Sequence, residues 1–290
     1  MLEQERIQSI LEILQLYNNS KNVLSKITNT YFRSRKYMGS QDRKFVSNTL
    51  WNIIKHRNKI KWHLNNIDIK ITFENEIILG LFFLNEKYKG NFSEIKHLFI
   101  VKYSNIKIYG DHDLDFLNYL KIDKFYHDEM PEEVYFELPH FLLKSIKNAF
   151  PDDWKKVVLS LQHEAHIDIR VNELKEMNRE KIKLFLKDTK VDMKLTHYSP
   201  KGIRLLKRFP IEGHKLYKSG HIEVQGEASQ IASLILGAKP GMSVADLCCG
   251  AGGKSLVIAE QMNNKGRILA LDINQKRLDN AGIRFKKAGI

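Results

Sequence analysis

Two acidic residues at the ends of short apolar stretches are the first candidates for chemistry in this chain. Ser243 to Leu247 is predicted to be a strand with Asp246 near its end, and Arg267 to Leu271 a second strand followed by Asp272. Three glycines lie between the two stretches, Gly250, Gly252 and Gly253. Strand, glycine turn, helix, strand and acid is the order with which a doubly wound nucleotide-binding sheet begins.

The spacing of these residues indicates a ligand with a ribose. Glycines allow backbone amides to approach a ligand closely at the N-terminus of the following helix, which is predicted over Ser255–Met262. Asp272 lies 20 positions beyond Gly252. Folds of this kind place the acid that binds the ribose hydroxyls about 20 residues after the turn.

Three ligands and one purely structural role fit this turn to different degrees. A triphosphate loop, G-x-x-x-x-G-K-[ST], matches Gly253-Lys254-Ser255 but requires glycine at Cys248. A dinucleotide fingerprint, G-x-G-x-x-G, requires glycine at Ser255. S-adenosylmethionine carries a ribose but no phosphate, so it needs only the turn and the acid. A βαβ turn whose glycines serve geometry alone also remains open.

A longer motif extends from Tyr217 to Lys254. It reads Tyr-Lys-Ser-Gly-His-Ile-Glu-Val-Gln-Gly-Glu-Ala-Ser-Gln, then Pro240-Gly241, then Asp-Leu-Cys-Cys-Gly-Ala-Gly-Gly-Lys. This motif closely resembles the RsmB/Sun family of RNA cytosine-C5 methyltransferases, in which it runs G-x-x-x-V-Q-[D]-E-A-S-Q, P-G and D-L-C-A-A-P-G-G-K-T. Asp272 to Leu278 matches the segment that follows the second strand of that family. The resemblance covers the chain strongly from Tyr217 onward and loosely before Leu138.

The resemblance implies S-adenosylmethionine as cofactor and assigns residues to its site. The implied cofactor residues are Cys248, Cys249, Gly250, Ala251, Gly252, Gly253, Lys254 and Asp272. Four positions depart from the family pattern. Gly226 replaces an acid, Cys249 and Gly250 replace two alanines, and Ala251 replaces the proline that stiffens the loop.

Composition favours a globular protein with a polyanionic partner. Hydrophobic residues make up 43% of the 290 residues and charged residues 28%, and 47 Lys and Arg against 34 Asp and Glu give a net charge of +13. An excess of this kind is typical of nucleic-acid binding, although a solvated basic surface fits it equally. The two cysteines are adjacent, so no disulfide framework is predicted and a reducing cytoplasm fits. No signal peptide, membrane span or zinc-ligand spacing is recognisable.

The first half of the chain has the periodicity of successive helices. Ile7, Ile10, Leu11 and Leu14 lie on one face of the first predicted helix, and a second is predicted over Asn22–Lys36. Ser40 is predicted to cap a third helix that begins at Gln41 and carries basic residues as far as Lys61. Two more are predicted over Glu74–Lys87 and Ser93–Lys102. Several consecutive amphipathic helices predict an all-α bundle.

The resemblance implies that this bundle is like the transcription factor NusB and binds RNA. The segment Gly39-Ser-Gln-Asp-Arg43 followed by Val46-Ser-Asn-Thr-Leu-Trp51 looks like part of that domain. Arg43 and Arg57 are the residues we expect to contact RNA. Solvated surface charge is the alternative for every basic residue here.

The middle of the chain is predicted to be a linker followed by a small α+β domain. Gly110–Glu133 reads as the linker, Ile167–Val171 as a strand, and Arg170-Val-Asn172 resembles a signature of the family's substrate-side domain. Phe209–His221 reads as a loop, and Val224-Gln225 as the start of a helix over Glu227–Leu236. A basic stretch is expected near the RNA channel, and it comprises Lys201, Arg204, Lys207 and Arg208.

The reaction implied by the resemblance requires groups that cannot be assigned in this chain. Carbon 5 of cytosine attacks the methyl sulfonium only after a thiolate has added at carbon 6, and an acid and a base must assist. The family has two cysteines for this after later strands of its sheet, whereas no cysteine follows Cys249 here. The side chains of Cys248 and Cys249 are expected to face the cofactor or the core. We therefore assign no catalytic residue and expect the nucleophile beyond residue 290.

Two explanations of the chain's length remain open, a truncated or split gene product and an incomplete record of an intact enzyme. On either, the chain alone is expected to be inactive, to bind cofactor weakly and to be sticky or poorly ordered over residues 217–290. A non-enzymatic RNA-binding protein like NusB is the alternative function.

The predicted fold class is α + α/β. It consists of a NusB-like all-α bundle over residues 1–135, a small α+β linker domain over 136–215, and the start of a Rossmann-like class I methyltransferase sheet over 216–290. The expected partner is RNA, ribosomal rather than transfer RNA, with no membrane. We expect a monomer unless a complementary fragment exists.

Overall fold

The computed structural model describes residues 1–100, 124–187, 191–207 and 209–290. The chain divides into two compact units, an N-terminal unit over Met1–Gln162 and a C-terminal unit over His163–Ile290. The division into three domains at residues 135 and 215 remains a prediction.

The N-terminal unit is helical, as the periodicity predicts. Its first six helices are α1 (Glu3–Asn18), α2 (Leu24–Ser34), α3 (Ser40–Lys55), α4 (Arg57–Asn66), α5 (Phe73–Leu84) and α6 (Phe92–Ile100). Their apolar stripes meet in one core, in which Ile10, Val46 and Ile77 have no solvent exposure. Residues 101 and 102, the end of the helix predicted over Ser93–Lys102, lie outside the described residues.

Helix α3 begins one residue earlier than predicted. Gly39 is its N-cap and Ser40 its first residue, so the prediction of Ser40 as the cap is wrong. The physical reason is Asp42, whose carboxylate accepts a hydrogen bond from the Gly39 N–H at 3.1 Å. The same carboxylate accepts one from Arg6 Nε at 2.8 Å, which joins α3 to α1.

The third predicted helix is in fact two helices, because the helical conformation is interrupted at His56. Helix α3 ends at Lys55 and α4 starts at Arg57. The carboxylate of Glu137 accepts hydrogen bonds from the N–H groups of Asn58 and Lys59 at 3.1 and 2.9 Å, and so satisfies the first turn of α4. Lys59 is 1% exposed and therefore does not belong to a solvated basic face.

Three short helices follow residue 123 in the described part of the N-terminal unit. They are α7 (Glu132–Tyr135), α8 (His140–Ala149) and α9 (Trp154–Gln162), which enclose a small core around Phe136 and Val158. Of the predicted linker Gly110–Glu133, residues 110–123 lie outside the described part and the last two residues begin α7.

The C-terminal unit contains a four-stranded antiparallel sheet in the order β2-β3-β1-β4. Its strands are β1 (Ile167–Val171), β2 (Met193–Leu195), β3 (Gly202–Leu205) and β4 (Ile222–Val224), and α10 (Arg179–Leu186) packs on it. Two predictions are wrong here. The loop Phe209–His221 contains a 3-10 turn and the helix α11 (Lys215–Lys218), and Val224 ends β4 instead of leading a helix.

The predicted βαβ unit follows. Helix α12 (Glu227–Ile235) precedes β5 (Ser243–Asp246), α13 (Gly253–Gln261), β6 (Arg267–Ala270) and α14 (Gln275–Ala288). Strands β5 and β6 pair in parallel, with Asp246 opposite Ala270. The α + α/β fold class is thereby confirmed. None of the helices in the described part of the chain is both long and apolar enough to cross a bilayer.

Candidate functional site

The turn between β5 and α13 is shaped by two glycines in the left-handed region. Gly250 has φ +55° and Gly252 has φ +79°. The N–H of Gly252 donates to the carbonyl of Cys249 at 2.8 Å, and α13 begins at the next residue. A Cβ at Gly252 would lie 2.4 Å from the ring of Phe285, whereas one at Gly250 would meet no atom within 4 Å. The two glycines therefore serve different purposes: Gly252 permits close packing, and Gly250 faces open space.

Asp272 lies beside this turn, as the sequence predicts. One of its carboxylate oxygens accepts a hydrogen bond from the N–H of Asn274 at 2.8 Å, and the other accepts one from Gly250 at 2.9 Å. The bond from Asn274, together with the one from Gly250, lowers the pKa of Asp272 below its ordinary value. Each oxygen keeps lone pairs for a further donor, so the ionised carboxylate can receive two hydroxyl groups of a ligand.

Asp246 fixes the other side of the turn. Its Oδ2 accepts a hydrogen bond from the Ser255 hydroxyl at 2.6 Å, which joins the end of β5 to the first turn of α13. Ser255 is buried, and its contact with Asp246 was not predicted from the sequence. Ser255 is the third residue of the helix that follows the glycine turn. This position is the only sign of the contact in the sequence, and it can be recognised only once the structure is known.

The two cysteines of the turn differ in exposure. Cys248 is exposed and Cys249 is buried. The N–H of Cys249 donates to the carbonyl of Leu271 at 2.8 Å, which continues the pairing of the two strands into the turn. Burial raises the pKa of the Cys249 thiol, so its thiolate is disfavoured. Lys254 is exposed in the first turn of α13.

Helix α14 holds the turn through the side chain of Arg284. Arg284 Nη1 donates to the carbonyl of Ala251 at 2.7 Å, while its Nε and Nη2 donate to Glu223 Oε2 at 3.1 and 3.0 Å. The Glu223 side chain is 1% exposed, and Lys287 Nζ lies 2.7 Å from its Oε1 without the alignment of a hydrogen bond. Arg284 is thus the residue that links the turn to β4, and sequence reasoning missed it.

Replacing Arg284 with methionine is expected to loosen the turn selectively. It frees the Ala251 carbonyl, so hydrogen exchange at the amides of Cys249, Gly250 and Gly252 should accelerate by about tenfold or more, the equivalent of about 1.4 kcal/mol. Lys287→Met is the matched control, since it also removes a cation from Glu223 but makes no contact with the turn. Equal acceleration in both variants would show that the charge of Glu223, not the contact to Ala251, governs the turn.

A second buried network joins the antiparallel sheet to α13. Arg170 donates to Gln225 Oε1 at 2.9 Å and to Glu260, and both charged side chains are at most 3% exposed. Lys201 Nζ donates to the other oxygen of Glu260 at 2.6 Å. The Nδ2 of Asn172 donates to the carbonyls of Gly220 and Ala288, each at 2.9 Å. Arg170 and Asn172, the polar residues of the Arg-Val-Asn signature, therefore hold the unit together.

Two residues of the predicted basic stretch bind carboxylates of other elements of the unit. Lys201 pairs with Glu260, and Arg204 makes a two-point contact with Asp168 at 2.7 and 2.9 Å. Lys207 is exposed beside Asp192. Arg208 lies outside the described residues.

Comparisons with known proteins bear on the C-terminal unit and on part of the N-terminal one. Residues 138–212 match the ferredoxin-like domain of RsmF/B-like methyltransferases, and residues 233–289 match the 16S rRNA methyltransferase RsmB/F model. The chain belongs to the RsmB/Sun family.

Curated relatives of this family member share its sequence at 27–36% identity. Ribosomal RNA small subunit methyltransferase B of Pseudomonas syringae pv. tomato is 28% identical over 52% of this chain and 34% of its own length. The protein of the same name from Proteus mirabilis is 30% identical over 48% and 33%. The 28S rRNA (cytosine-C(5))-methyltransferase of Mus musculus is 36% identical over 27% and 17%. The matches span about a third or less of the length of these relatives.

Solved structures show the same fold. The crystal structure of PH0851 matches with a TM-score of 0.71 and 22% identity, covering the whole of this chain and 68% of the other. A methyltransferase homolog protein from Pyrococcus horikoshii matches with a TM-score of 0.50 and 22% identity, covering 55% and 52%.

The two arginines expected to contact RNA in this family member both make internal contacts. Arg43 Nε donates to the carbonyl of Met38 at 2.9 Å, and its guanidinium lies 5.8 Å from the ring centre of Phe32. Arg57 Nε donates to the buried carboxylate of Glu76 at 2.8 Å. Their role in binding RNA stays a prediction.

Proposed function

We propose that this chain carries the cofactor-binding turn and the RNA-binding helices of an S-adenosylmethionine-dependent RNA cytosine-C5 methyltransferase. The observation that carries the proposal is the hydrogen bond between the Gly250 N–H and the Asp272 carboxylate. It places the acid for a ribose directly against a glycine turn at the start of a helix, in a chain that belongs to the RsmB/Sun family.

The residues of the turn fit S-adenosylmethionine. The space beside Gly250 leaves room for the ligand, and the two Asp272 oxygens are the acceptors for its ribose hydroxyls. Ile273 is a fully exposed apolar side chain next to that acid, and we assign it to the adenine ring. A contact of Ile273 with the cofactor was not predicted from the sequence. When bound, the cofactor supplies a methyl group on a sulfonium.

The other residues implied to bind the cofactor lie in the same turn or at its edges. Cys249 and Ala251 shape it through their backbone groups, while Cys248, Gly253 and Lys254 border it. Neither cysteine is proposed as the thiol that adds to the base. Net charge of +13 and the rRNA methyltransferases among the relatives support ribosomal RNA as the substrate. The free cysteines Cys248 and Cys249 fit the cytoplasm as the location.

Titration calorimetry with S-adenosylmethionine and S-adenosylhomocysteine tests the proposal. Asp272→Asn should raise the dissociation constant by about 10-fold or more, since charge-assisted hydrogen bonds contribute about 1.5–3 kcal/mol. Asp279→Asn, an exposed acid seven residues further along, is the control and should bind as the wild type. Because the pKa of Asp272 is lowered, affinity should not change between about pH 5 and 8 on account of this carboxylate.

Two results would overturn the proposal. One is tighter binding of ATP or NAD than of S-adenosylmethionine, which would return the turn to the phosphate-binding alternatives. The other is equal affinity of the wild type and Asp272→Asn for the cofactor.

A further inference from the structure

Positive charge is concentrated in one segment of the N-terminal unit. Residues 13–67 contain eleven Lys and Arg but a single acid, Asp42. Asp42 is 8% exposed and bonded to Arg6 and to the start of α3, so it contributes little negative potential at the surface. The eleven are Lys21, Lys26, Arg33, Arg35, Lys36, Arg43, Lys44, Lys55, Arg57, Lys59 and Lys61.

Some of these cations serve internal contacts and others do not. Arg35 pairs with Glu12, Arg57 with Glu76, and the buried Lys59 lies 3.6 Å from Glu137. By contrast, six exposed cations have no carboxylate within 4 Å in the described part of the chain. These six are Lys21, Lys26, Arg33, Lys36, Lys44 and Lys55.

Two of the six, Lys44 and Lys55, lie on one exposed face of α3. Lys44, Asn48, Trp51 and Lys55 are spaced by four, three and four residues, which places them in one stripe about 16 Å long. We call this stripe the α3 face. Trp51 is 48% exposed, and Asn48 is exposed beside it. Lys55 Nζ donates to the carbonyl of Gln162 at 2.6 Å and has two further protons to donate.

A second exposed aromatic residue precedes the α3 face along the chain. Tyr37 is 70% exposed in the turn that leads from α2 into α3, next to Lys36. Alternation of cations with exposed rings is the arrangement by which proteins bind single-stranded nucleic acid, with the cations on phosphates and the rings stacked on bases.

We propose that the α3 face, continued by Lys36 and Tyr37, binds single-stranded RNA. This inference rests on the proposed function, because both take RNA as the substrate. The proposed RNA-binding surface does not include Arg43 or Arg57. A duplex keeps its bases stacked on each other, so only an unpaired segment can stack on Trp51.

Helix α8 offers a matched comparison within the same unit. It carries an exposed aromatic residue, Phe141 at 70% exposure, and an exposed Lys144 one turn later. Its exposed neighbours Leu142 and Phe150 make that surface apolar, which is unlike a nucleic-acid interface. Variants of α8 therefore change an aromatic or a basic residue without touching the proposed surface.

The experiment measures fluorescence anisotropy of a labelled single-stranded RNA of about 12 nucleotides, and of its duplex, with the full chain. Trp51→Ala should weaken binding of the single strand by about fivefold or more but leave the duplex unchanged, and Trp51→Phe should restore most of the affinity. The double variant Lys44→Ala/Lys55→Ala should reduce the slope of log K against log salt by about 1.4. Phe141→Ala and Lys144→Ala should bind within about twofold of the wild type.

The proposal fails if the wild type does not bind the single strand, if the Trp51 and lysine variants bind as tightly as it does, or if the α8 variants lose as much. Equal loss on the duplex would also overturn it, since stacking would then have no part. Each substituted residue is exposed, so the unfolding temperature of each variant should equal that of the wild type. Thermal unfolding measured on the same samples therefore checks that the variants are folded. Calorimetry with S-adenosylmethionine on the same samples reports on the cofactor site separately.

Discussion

Replacing Glu260 with leucine is expected to lower the free energy of unfolding of the C-terminal unit by about 3–5 kcal/mol. Glu260 accepts hydrogen bonds from Arg170, from Lys201 and from the N–H of Glu173. The side chain of Arg170 is 2% exposed. Without Glu260, its guanidinium has no carboxylate within 4 Å in the described part of the chain. An unpaired charge in that position costs more than the loss of the pair itself.

Urea unfolding with hydrogen exchange at the β1 amides measures this effect on the C-terminal unit alone. The double variant Arg170→Met/Glu260→Leu should recover part of the loss, because the buried guanidinium is gone and Lys201 Nζ keeps the carboxylate of Glu173 at 2.8 Å. Asp192→Asn is the control within the same unit, since it breaks an exposed pair with Lys207 and should change stability by less than about 1 kcal/mol. A loss in Glu260→Leu no greater than in Asp192→Asn would contradict the prediction.

Replacing Gly252 with valine is expected to disrupt the cofactor turn and to cost about 3 kcal/mol or more in stability. Its φ of +79° alone costs a branched residue about 1–2 kcal/mol. In addition, the new Cβ would lie 2.4 Å from the Phe285 ring and 3.1 Å from the Cβ of Ala281, so α14 would have to move. Since α14 also carries Arg284, the turn would lose its brace at the same time.

Two other glycines of this region serve as graded controls in the same thermal and chemical unfolding measurements. Gly250→Ala has the positive φ but no contact within 4 Å, so it should cost only about 1 kcal/mol. Gly282→Ala lies inside α14 with open space around it and should stabilise the chain by about 0.5–1 kcal/mol. Equal losses at Gly250 and Gly252 would show that packing against Phe285 is unimportant.

The features predicted correctly are those that depend on residues close together in the sequence. The period of the apolar residues indicated helices α1 to α3, and the two apolar stretches with their glycines and acids indicated β5, α13 and β6. The Asp272 contact to Gly250 was predictable because the fold brings the ends of neighbouring parallel strands together.

The features that were missed depend on residues far apart in the sequence. Glu137 caps α4 from almost 80 positions away, and Glu260 pairs with Arg170 from 90. A local pattern cannot indicate such partners, so Arg57, Lys201 and Arg204 read as surface charges although carboxylates of other elements hold them. The break at His56 was missed for the same reason, since the acceptor that favours a new helix lies on a distant segment.

The contact from Arg284 to the carbonyl of Ala251 changes how substitutions in this loop should be interpreted. A proline at this position, as in the family pattern, would build stiffness into the chain itself by restricting one backbone angle. Here the same restraint is exerted from outside, by a guanidinium on a neighbouring helix. A chain with proline at position 251 should therefore lose less order in this turn than the present chain does when the arginine at 284 is replaced.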